Sequence, residues 1–345
     1  ILGLRLSRTA NGVSRLNGEV ARTQWHSIYP DVPVSDVPVG HVTNGIHIPT
    51  WISPTARNFV ENRCGPLDTR RSDADYWAPL RELSDEALWE LRARLRRELV
   101  SFACDRVGRG TLPQTCDLDP NALTIGFARR LAPYKRAVLI FSDLERAAAA
   151  FGEVDRPVQL IFAGKAHPNN DTGKSFIRQI AEIGRSPAFR GRVIFLENYD
   201  MEVGRMLISG CDVWLNNPRR PLEASGTSGQ KIAVHGGLNL SILDGWWPEG
   251  YNGKNGWSIG DENAPIELPD IQDPIDAANL YNVLLSEVIP SFYDRDEHGV
   301  PRKWTAMMRE AMSGLPSKFS AARMVREYAD DVYAGTPVSH LDTEI

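Results

Sequence analysis

The stretch Leu123-Thr-Ile-Gly-Phe127, followed after a longer helical pattern by Val158-Gln-Leu-Ile-Phe-Ala163, decides the fold. Similar short runs of β-branched or aromatic residues recur at Val193–Leu196, Val213–Asn216 and Leu238–Ser241. Strands that alternate with helices are typical of βαβ units, whose strands are parallel and whose crossovers are right-handed. The sequence therefore predicts an α/β fold, with a doubly wound parallel sheet and helices on both of its faces.

Helical patterns fill the segments between and around these strands. Between the strands they are predicted near 135–151, 173–183, 201–209 and 228–236. Leucines at helical spacing among many charges predict a pair of amphipathic helices over 75–103, and residues 274–333 return to helical spacing. The methionines of that last segment are expected to fill a core, namely Met307, Met308, Met312 and Met324. Ligands of such sheets bind beyond the carboxyl ends of the strands, so the loops there are where we expect a site.

The composition limits the partners that the chain can have. It has 345 residues, 42% of them hydrophobic and 24% charged, with a formal net charge of -5 and a pI near 5.9. Because there is no excess of positive charge, neither nucleic acid nor an anionic membrane surface is an expected partner. No segment approaches the roughly 20 apolar residues that a membrane-spanning helix needs.

The four cysteines include no Cys-x-x-Cys pair, so their spacing suggests neither a disulfide framework nor a zinc site. The histidines show no metal-ligand spacing either, and no metal is expected. A reducing cytoplasm is the expected location. The chain opens on Ile1, without an initiator Met or a signal-peptide pattern, and we expect it to be truncated.

The first candidate site is Ala128-Arg129-Arg130-Leu-Ala-Pro-Tyr134-Lys135-Arg136, directly after the first predicted strand. We expect a helix to begin there, where backbone N–H groups and the helix dipole favour an anion. Arg130 and Lys135 would then complete a phosphate site. The alternative is a solvated basic face at the start of a helix, and spacing alone does not separate the two.

The second candidate is Glu223-Ala-Ser225-Gly226-Thr227-Ser-Gly-Gln-Lys231, between a predicted strand and a predicted helix. Its glycines and hydroxyls let backbone N–H groups approach an oxygen-rich ligand, and the carboxylate of Glu223 could accept hydrogen bonds from sugar hydroxyls. Lys231 lies about one turn into the helix, where its ammonium opposes the dipole unless it has a partner or forms a Schiff base. A surface lysine is the alternative.

A third cluster combines three tryptophans with a Gly-rich loop: Trp246, Trp247 and Trp257. Indole rings in such a loop suit carbohydrate stacking, and they suit a packed, water-excluding loop equally well. His235 follows Lys231 on the same predicted helix, and we expect it to be packed rather than chemically active.

Three further motifs accompany the two polar loops: Val42-Thr-Asn44-Gly-Ile-His-Ile-Pro-Thr-Trp51, Phe162-Ala-Gly-Lys-Ala166 and Phe195-Leu-Glu-Asn-Tyr199-Asp-Met201. In their order and separations the five motifs resemble the glycogen and starch phosphorylase family, in particular its shorter bacterial branch. The resemblance runs from about Leu4 to the end of the chain. It implies a GT-B type glycosyltransferase fold, in which two Rossmann-like domains enclose the active site.

The resemblance also implies a cofactor, pyridoxal 5′-phosphate, which Lys231 binds as a Schiff base. Further contacts to the cofactor are implied for Tyr199, Arg129 and Thr227. Catalytic roles are implied for Arg130, Lys135 and Glu223, with the two cations holding the substrate phosphate.

Sugar-binding roles are implied for Asn44, Tyr134, Glu223, Ser225 and Gly226, with Asn44 reaching the 6-hydroxyl. The family's reaction is reversible, retaining phosphorolysis, in which inorganic phosphate cleaves the terminal glucosyl unit of an α-1,4-glucan and releases glucose 1-phosphate. The preferred glucan is not determined by these motifs. A homo-oligomer of the full-length protein is compatible with them.

By the same resemblance, residues 1–50 correspond to the end of an N-terminal domain and a linker. Residues 51–315 form the C-terminal Rossmann-like domain, and 316–345 form a helix and tail that pack back toward the N-terminal domain. Because most of the N-terminal domain is not in the sequence, we expect this polypeptide alone to have little or no activity.

Two rival functions share parts of this pattern. One is a retaining glycosyltransferase that uses a nucleotide sugar, such as a glycogen synthase; those enzymes tend to have a second glutamate eight positions after the first, where this chain has Lys231. The other is a non-catalytic remnant that binds glucan without turnover. Loss of Lys231, Arg130 or Lys135 would have favoured the remnant, and all three are present.

Overall fold

Two parallel sheets organise the computed structural model, which describes residues 1–68 and 73–334. A small sheet pairs β1 (Asn11–Gly12) with β2 (Gly40–His41). The strands of the large sheet are β3 (Leu123–Arg130), β4 (Val158–Lys165), β5 (Val193–Leu196), β6 (Val213–Asn216), β7 (Leu238–Ile242) and β8 (Gly256–Ile259). The predicted parallel sheet and its five predicted strands are confirmed. β8 was not predicted, because its residues stand in a Gly-rich stretch that looks like a loop.

The large sheet has the order β5-β4-β3-β6-β7-β8. The chain builds outward from β3 through β4 to β5 and then returns to the other side of β3 with β6. Connections from β3 and β6 therefore leave the carboxyl edge in opposite directions, which opens the crevice at which doubly wound sheets bind ligands. The β3–β6 ladder is short, with Ile125 opposite Val213 and Gly126 opposite Trp214.

Helices cover both faces of the large sheet. In chain order, the helices of the described residues are α1 (Leu2–Leu6), α2 (Arg15–Trp25), α3 (Ile48–Trp51), α4 (Pro54–Cys64), α5 (Ala74–Trp77), α6 (Asp85–Gly108), α7 (Leu144–Gly152), α8 (Asp171–Arg185), α9 (Met201–Gly210), α10 (Ser228–Ala233), α11 (Trp247–Gly250), α12 (Pro269–Val283), α13 (Ile289–Tyr293), α14 (Arg302–Lys318) and α15 (Ala321–Glu327). π-helical turns extend α12 over Leu284–Val288 and α15 over Tyr328–Tyr333. Side-chain caps begin the helices that flank the sheet, through Ser84, Asp143, Asn170 and Asp200.

Alternate residues of β4 enter different hydrophobic clusters, which shows that both faces of the sheet are covered. Leu160 and Phe162 belong to one cluster, and Ile161 and Ala163 belong to the other. This explains why the strands are continuous apolar runs rather than alternating ones. The methionines at 307, 308 and 312 are buried in the first cluster, as predicted.

The helix predicted over 135–151 is wrong in its first half. The chain makes two 3-10 turns, Pro133–Lys135 and Leu139–Phe141, and α7 begins only at Leu144. Between the turns Arg136 has a φ of 51°, a left-handed conformation that no α-helix contains. The guanidinium of Arg136 holds it there by donating to the carbonyls of Asn217 (2.8 Å) and Pro218 (2.8 Å).

A disulfide joins Cys104, near the end of α6, to Cys116 in the segment before β3. The spacing of the cysteines suggested no disulfide, and for this pair that expectation is wrong. The two cysteines are 12 positions apart in sequence, and the chain between them folds back so that their Cα atoms lie 5.3 Å apart, a proximity that sequence separation does not reveal. Cys64 and Cys211 are free.

The N-terminal segment and the tail meet beside the sheet. Ile46 donates its N–H to Phe319 (2.9 Å), and its carbonyl accepts from the N–H of Ala321 (2.7 Å). The domain boundaries at 50 and 315 stay a prediction, and residues 335–345 of the predicted tail lie outside the described residues. Within the described part, no helix combines the length and the hydropathy needed to cross a membrane.

A buried ionic cluster ties α6 to the amino ends of the central strands. The Asp212 carboxylate receives Arg96 Nη1 at 2.6 Å and Arg92 Nη2 at 3.3 Å on Oδ1, and the N–H of Thr124 at 3.0 Å on Oδ2. Arg92 also donates to three backbone carbonyls, those of Ser209, Gly210 and His235. Arg92, Arg96 and Asp212 are almost wholly inaccessible to solvent.

We predict that Asp212→Ala lowers the free energy of unfolding by about 3–5 kcal/mol, because it leaves two buried guanidinium groups without a counter-charge. Urea denaturation followed by circular dichroism measures the change. The matched control is Asp171→Ala, which removes an exposed ion pair with Lys174 and should have a much smaller effect. Equal effects of the two substitutions would contradict the structural role of Asp212.

Candidate active site

The carboxyl ends of β3 and β6 bring the two polar loops together. Arg129 and Arg130 are the last residues of β3, and the 3-10 turn after them carries Tyr134 and Lys135. The loop after β6 leads to Glu223 and joins the turn through a hydrogen bond from the N–H of Arg219 to the carbonyl of Tyr134 (2.7 Å). The expected helix N-terminus is absent from this turn, so side-chain charge, not a helix dipole, is what could attract an anion here.

The carboxylate of Glu223 lies between two cations. Its Oε2 forms an ion pair with Nζ of Lys135 and lies 3.7 Å from Nη1 of Arg129. The N–H of Glu223 donates to Oδ2 of Asp244 (2.9 Å), which orients this end of the loop. Glu223 itself is only 6% exposed. The structure thus brings Glu223 next to two cations of a segment that is distant from it in sequence.

The cluster carries more positive than negative charge. Burial lowers the pKa of Lys135, the positive charge of Arg129 lowers it further, and Glu223 opposes both effects. Burial also lowers the pKa of Arg129, again opposed by Glu223. Arg130, exposed at the rim, adds a third cation. An anion that enters this crevice would relieve the repulsion between these cations.

Two tyrosines face the same cations. Burial raises the pKa of Tyr199, in the loop after β5, while the charge of Arg129 lowers it. The pKa of Tyr134 is also raised, first by burial and then by the negative charge of Glu223. Both phenols therefore keep their protons at neutral pH and can donate hydrogen bonds to an anion.

The loop from Glu223 to α10 leaves polar groups unused. Ser225 is buried, and its Oγ has no hydrogen-bond partner within the described residues, while its carbonyl accepts from the N–H of Trp246 (2.9 Å). Gly226 has a φ of 75°, which favours glycine, and a Cβ there would lie 3.3 Å from Cγ of Glu223. Thr227 precedes α10 without capping it. A buried hydroxyl without a partner is unusual and indicates a site for a ligand.

Lys231 lies on α10 with its ammonium 3.4 Å from the centre of the Trp51 ring. This ammonium makes no hydrogen bond or ion pair with the described residues. Burial lowers its pKa to about 8, so a useful fraction of the amine is neutral near pH 7. Lys231 is therefore not an exposed surface lysine, because its side chain is half-buried against the ring of Trp51.

Hydrogen bonds to neighbouring segments fix α10. His235 is fully buried and bridges the carbonyl of Lys231 (3.0 Å) and the N–H of Ser53 (3.0 Å), which fits the packed role expected for it. The amide of Gln230 donates to the carbonyl of Asn44 (2.9 Å). Asn44 thus contacts the helix of Lys231 through its backbone, and within the described residues it makes no hydrogen bond to Lys135 or Glu223.

The tryptophan loop is a packed structure. The three indoles at 246, 247 and 257 are at most 3% exposed. Trp246 packs edge-on against Trp247 and Phe319, with ring centres 5.0 and 4.7 Å apart. Of the two alternatives for this cluster, the water-excluding loop is the one that the structure has.

Three residues with clear roles in this geometry were not singled out from the sequence: Trp51, Arg136 and Asp244. Burial raises the pKa of Asp244 to about 7, although the backbone N–H groups of Glu223 and Gly245 donate hydrogen bonds to this carboxylate and lower its pKa. The position of Asp244 just after β7, at the carboxyl edge of the sheet, is the sequence feature that could have identified it as a site residue. Trp51 and Arg136 lie inside quoted motifs, but their contacts depend on segments far away in sequence.

Comparison with known proteins shows the family of this chain. A family model described as carbohydrate phosphorylase matches residues 1–249. The chain belongs to the carbohydrate phosphorylase family. This agrees with the resemblance that the motifs carry, and with the parallel α/β sheet.

Curated relatives of this phosphorylase-family chain match nearly all of it. The maltodextrin phosphorylase of Thermococcus litoralis is 42% identical over 341 residues, which are 97% of this chain and 40% of that protein. The glycogen phosphorylase of Aquifex aeolicus is 42% identical over 345 residues, covering 97% and 49% of the two chains. That of Mycobacterium bovis is 43% identical over 343 residues, covering 96% and 39%. The chain thus spans less than half the length of these relatives.

We predict that Lys231→Met raises the free energy of unfolding at pH 7, because it removes an ammonium that burial destabilises. The folded-state pKa of Lys231, about 8, is below its ordinary value of 10.5, so the unfolded chain binds more protons between these values. Wild-type stability then rises with pH across this window, and the advantage of Lys231→Met shrinks. Urea denaturation of the wild type and of Lys231→Met from pH 7 to 10 measures the two free energies of unfolding. Lys174→Met, which removes an exposed ammonium, is the control. If the difference in free energy of unfolding between Lys231→Met and the wild type did not change with pH, the prediction would be wrong.

Proposed function

We propose that this chain supplies the cofactor and phosphate sites of an α-glucan phosphorylase. The reaction is retaining phosphorolysis of terminal α-1,4-glucosyl units to glucose 1-phosphate. The observation that carries the proposal is Lys231, a half-buried amine on α10 without a polar partner among the described residues, eight positions after Glu223 in sequence. A structural lysine needs a counter-charge, whereas a lysine that binds a carbonyl group needs a low pKa.

The residues present fit pyridoxal 5′-phosphate. Lys231 would hold it through its amine, and Thr227 has a hydroxyl that does not cap α10. Tyr199 and Arg129 would hold its phosphate; Nε of Arg129 is buried without a hydrogen-bond partner within the described residues. When bound in a phosphorylase, this cofactor supplies its phosphate group for acid–base chemistry.

Arg130 and Lys135 would bind the substrate phosphate. Their side chains and that of Arg129 bring three cations to one crevice, which can hold two phosphate groups close together against their repulsion. In this structure Lys135 pairs with Glu223. Phosphate would compete for Lys135 and release the Glu223 carboxylate to accept hydrogen bonds from sugar hydroxyls.

The glucosyl unit would then lie against the loop that begins at Glu223. The unused Oγ of Ser225 and the open backbone at Gly226 supply hydrogen-bonding groups for sugar hydroxyls, and Tyr134 adds a phenol. Asn44, fixed to α10 through its backbone, would reach the 6-hydroxyl. Cationic side chains near the scissile bond stabilise phosphate as it donates a proton to the leaving oxygen.

The remaining parts of the proposal concern the whole protein. Residues 1–50 would end an N-terminal domain and linker, 51–315 would form the cofactor-binding domain, and 316–345 would pack back, as the contact between Ile46 and Phe319 supports. The relatives are more than twice as long, so we propose that these 345 residues alone bind the cofactor but catalyse little or no phosphorolysis. A cytoplasmic location and a homo-oligomer are further proposals.

We expect pyridoxal 5′-phosphate to bind this chain at Lys231 and to become fixed there by borohydride. The low pKa leaves part of this amine neutral near pH 7.5, so peptide mass spectrometry should find the pyridoxyl group mainly on the peptide with Lys231. Lys231→Arg is the control and should lose the label. Labelling confined to exposed lysines such as Lys174 would refute the cofactor assignment and leave a nucleotide-sugar transferase as the better hypothesis.

We also expect Lys135→Ala to raise the KM for phosphate roughly ten- to a hundredfold, because the substitution removes one charge-assisted hydrogen bond to the phosphate. The KM for glucan should change little. Initial rates of phosphorolysis, in a preparation that contains this chain and is active, measure both constants. Lys165→Ala, which removes an exposed cation at the end of β4, is the matched control. Equal increases in both KM values would show that Lys135 does not bind phosphate.

A further inference from the structure

Two adjoining cavities lie at the outer edge of the sheet, between β8 and α12. The larger has a volume of about 360 Å³ and the smaller about 130 Å³. Gly260, Asp261 and Asn279 line both, so the two form one continuous depression, which we call the β8–α12 cleft. None of the residues at 129–135 or 223–231 lines it, and the cleft is therefore separate from the candidate active site.

The larger cavity has the side chains that sugars require. Tyr251 provides aromatic surface, and its ring is held 5.4 Å from that of Trp247. Asn279 and Asn282 of α12 line the same cavity with amide groups, of which Oδ1 of Asn282 already accepts from Nη2 of Arg146 (3.2 Å). Aromatic rings pack against the apolar face of a pyranose, and amides both donate to and accept from its hydroxyls. A volume of this size accommodates a short oligosaccharide.

The smaller cavity contains a buried polar side chain without a partner. Gln272 is 8% exposed, and its Oε1 has no hydrogen-bond partner within the described residues. The amide of Asn279, on the next turns of α12, also forms no hydrogen bond in the described part of the chain. A buried amide destabilises the fold unless something satisfies it. A ligand with several hydroxyl groups would do so.

The charge of the cleft excludes anionic ligands. Four carboxylates line it: Asp261, Glu267, Asp276 and Glu287. The one cation among the lining residues is Arg220, whose guanidinium already donates to backbone carbonyls of residues 261, 262 and 264. Asp276 is paired with Arg136 at 2.8 Å. Phosphates and nucleotides would be repelled, whereas a neutral ligand would not.

We propose that the β8–α12 cleft binds a neutral oligosaccharide at a site distinct from the candidate active site. The choice of an α-1,4-linked glucose oligomer as its ligand rests on the proposed function. Such a site would hold a second part of a glucan, or a second glucan chain, beside the crevice where its end reacts.

Hydrogen–deuterium exchange of this chain with maltopentaose, read out on peptides from 251–261 and 272–287, tests the proposal. We expect protection of both segments in the wild type and in Glu223→Gln. Tyr251→Ala should raise the Kd about tenfold, as loss of one stacking contact does. Asn279→Trp, which fills the cleft, should abolish the protection. Tyr333→Ala, which removes an exposed ring elsewhere, should leave it unchanged.

Absence of protection in the wild type at millimolar maltopentaose, or protection that survives both Tyr251→Ala and Asn279→Trp, would overturn the proposal. Stronger protection by adenosine monophosphate than by maltopentaose would overturn it too. Circular dichroism establishes that each variant is folded. Failure of the cofactor to label Lys231 would refute the proposed function but not the cleft, because the exchange experiment contains no cofactor.

Discussion

The buried carboxylate of Asp212 is the interaction on which the architecture depends. The ladder between β3 and β6 is short, yet these two strands form the centre of the sheet. Asp212 reinforces it from the amino side: its N–H donates to the carbonyl of Thr124, its carbonyl accepts from Leu238, and its side chain accepts from Thr124. Arg92 and Arg96 provide the counter-charge and attach α6 to the same point. A lone buried carboxylate would be strongly unfavourable, so neither α6 nor the strands can shift without exposing an unpaired charge.

The short β3–β6 ladder has a consequence at the opposite edge. The strands diverge there, and the chain leaves them in opposite directions, so the crevice is a product of topology rather than of any one loop. Buried cations can gather in it because Glu223 partly neutralises them, and because Arg136 and Asp244 fix the two loops with hydrogen bonds to backbone atoms. The residual positive charge is tolerated next to solvent. It also makes the crevice a better site for an anion than for a neutral ligand.

The two regions differ in the ligand chemistry that they favour. The crevice has surplus cations, two phenols and an amine of low pKa, which suit phosphate groups and a carbonyl compound. The β8–α12 cleft has surplus carboxylates, the aromatic ring of Tyr251 and unsatisfied amides, which suit uncharged hydroxylated ligands. Asp273 and Asp276 of α12 connect the regions, since both pair with Arg136, the residue after Lys135.

The sequence by itself determined the sheet and the candidate residues. The strands were predictable because a sheet covered on both faces requires continuous apolar runs, and the motifs were recognisable because their residue types are local. Tertiary structure alone decided the rest. It put a left-handed residue where local pattern predicted a helix, because distant carbonyls hold the Arg136 guanidinium. It joined Cys104 to Cys116, buried the tryptophans, and lowered the pKa of Lys231 by burying its amine. Such features depend on contacts between segments far apart in sequence, and local patterns contain no information about those distances.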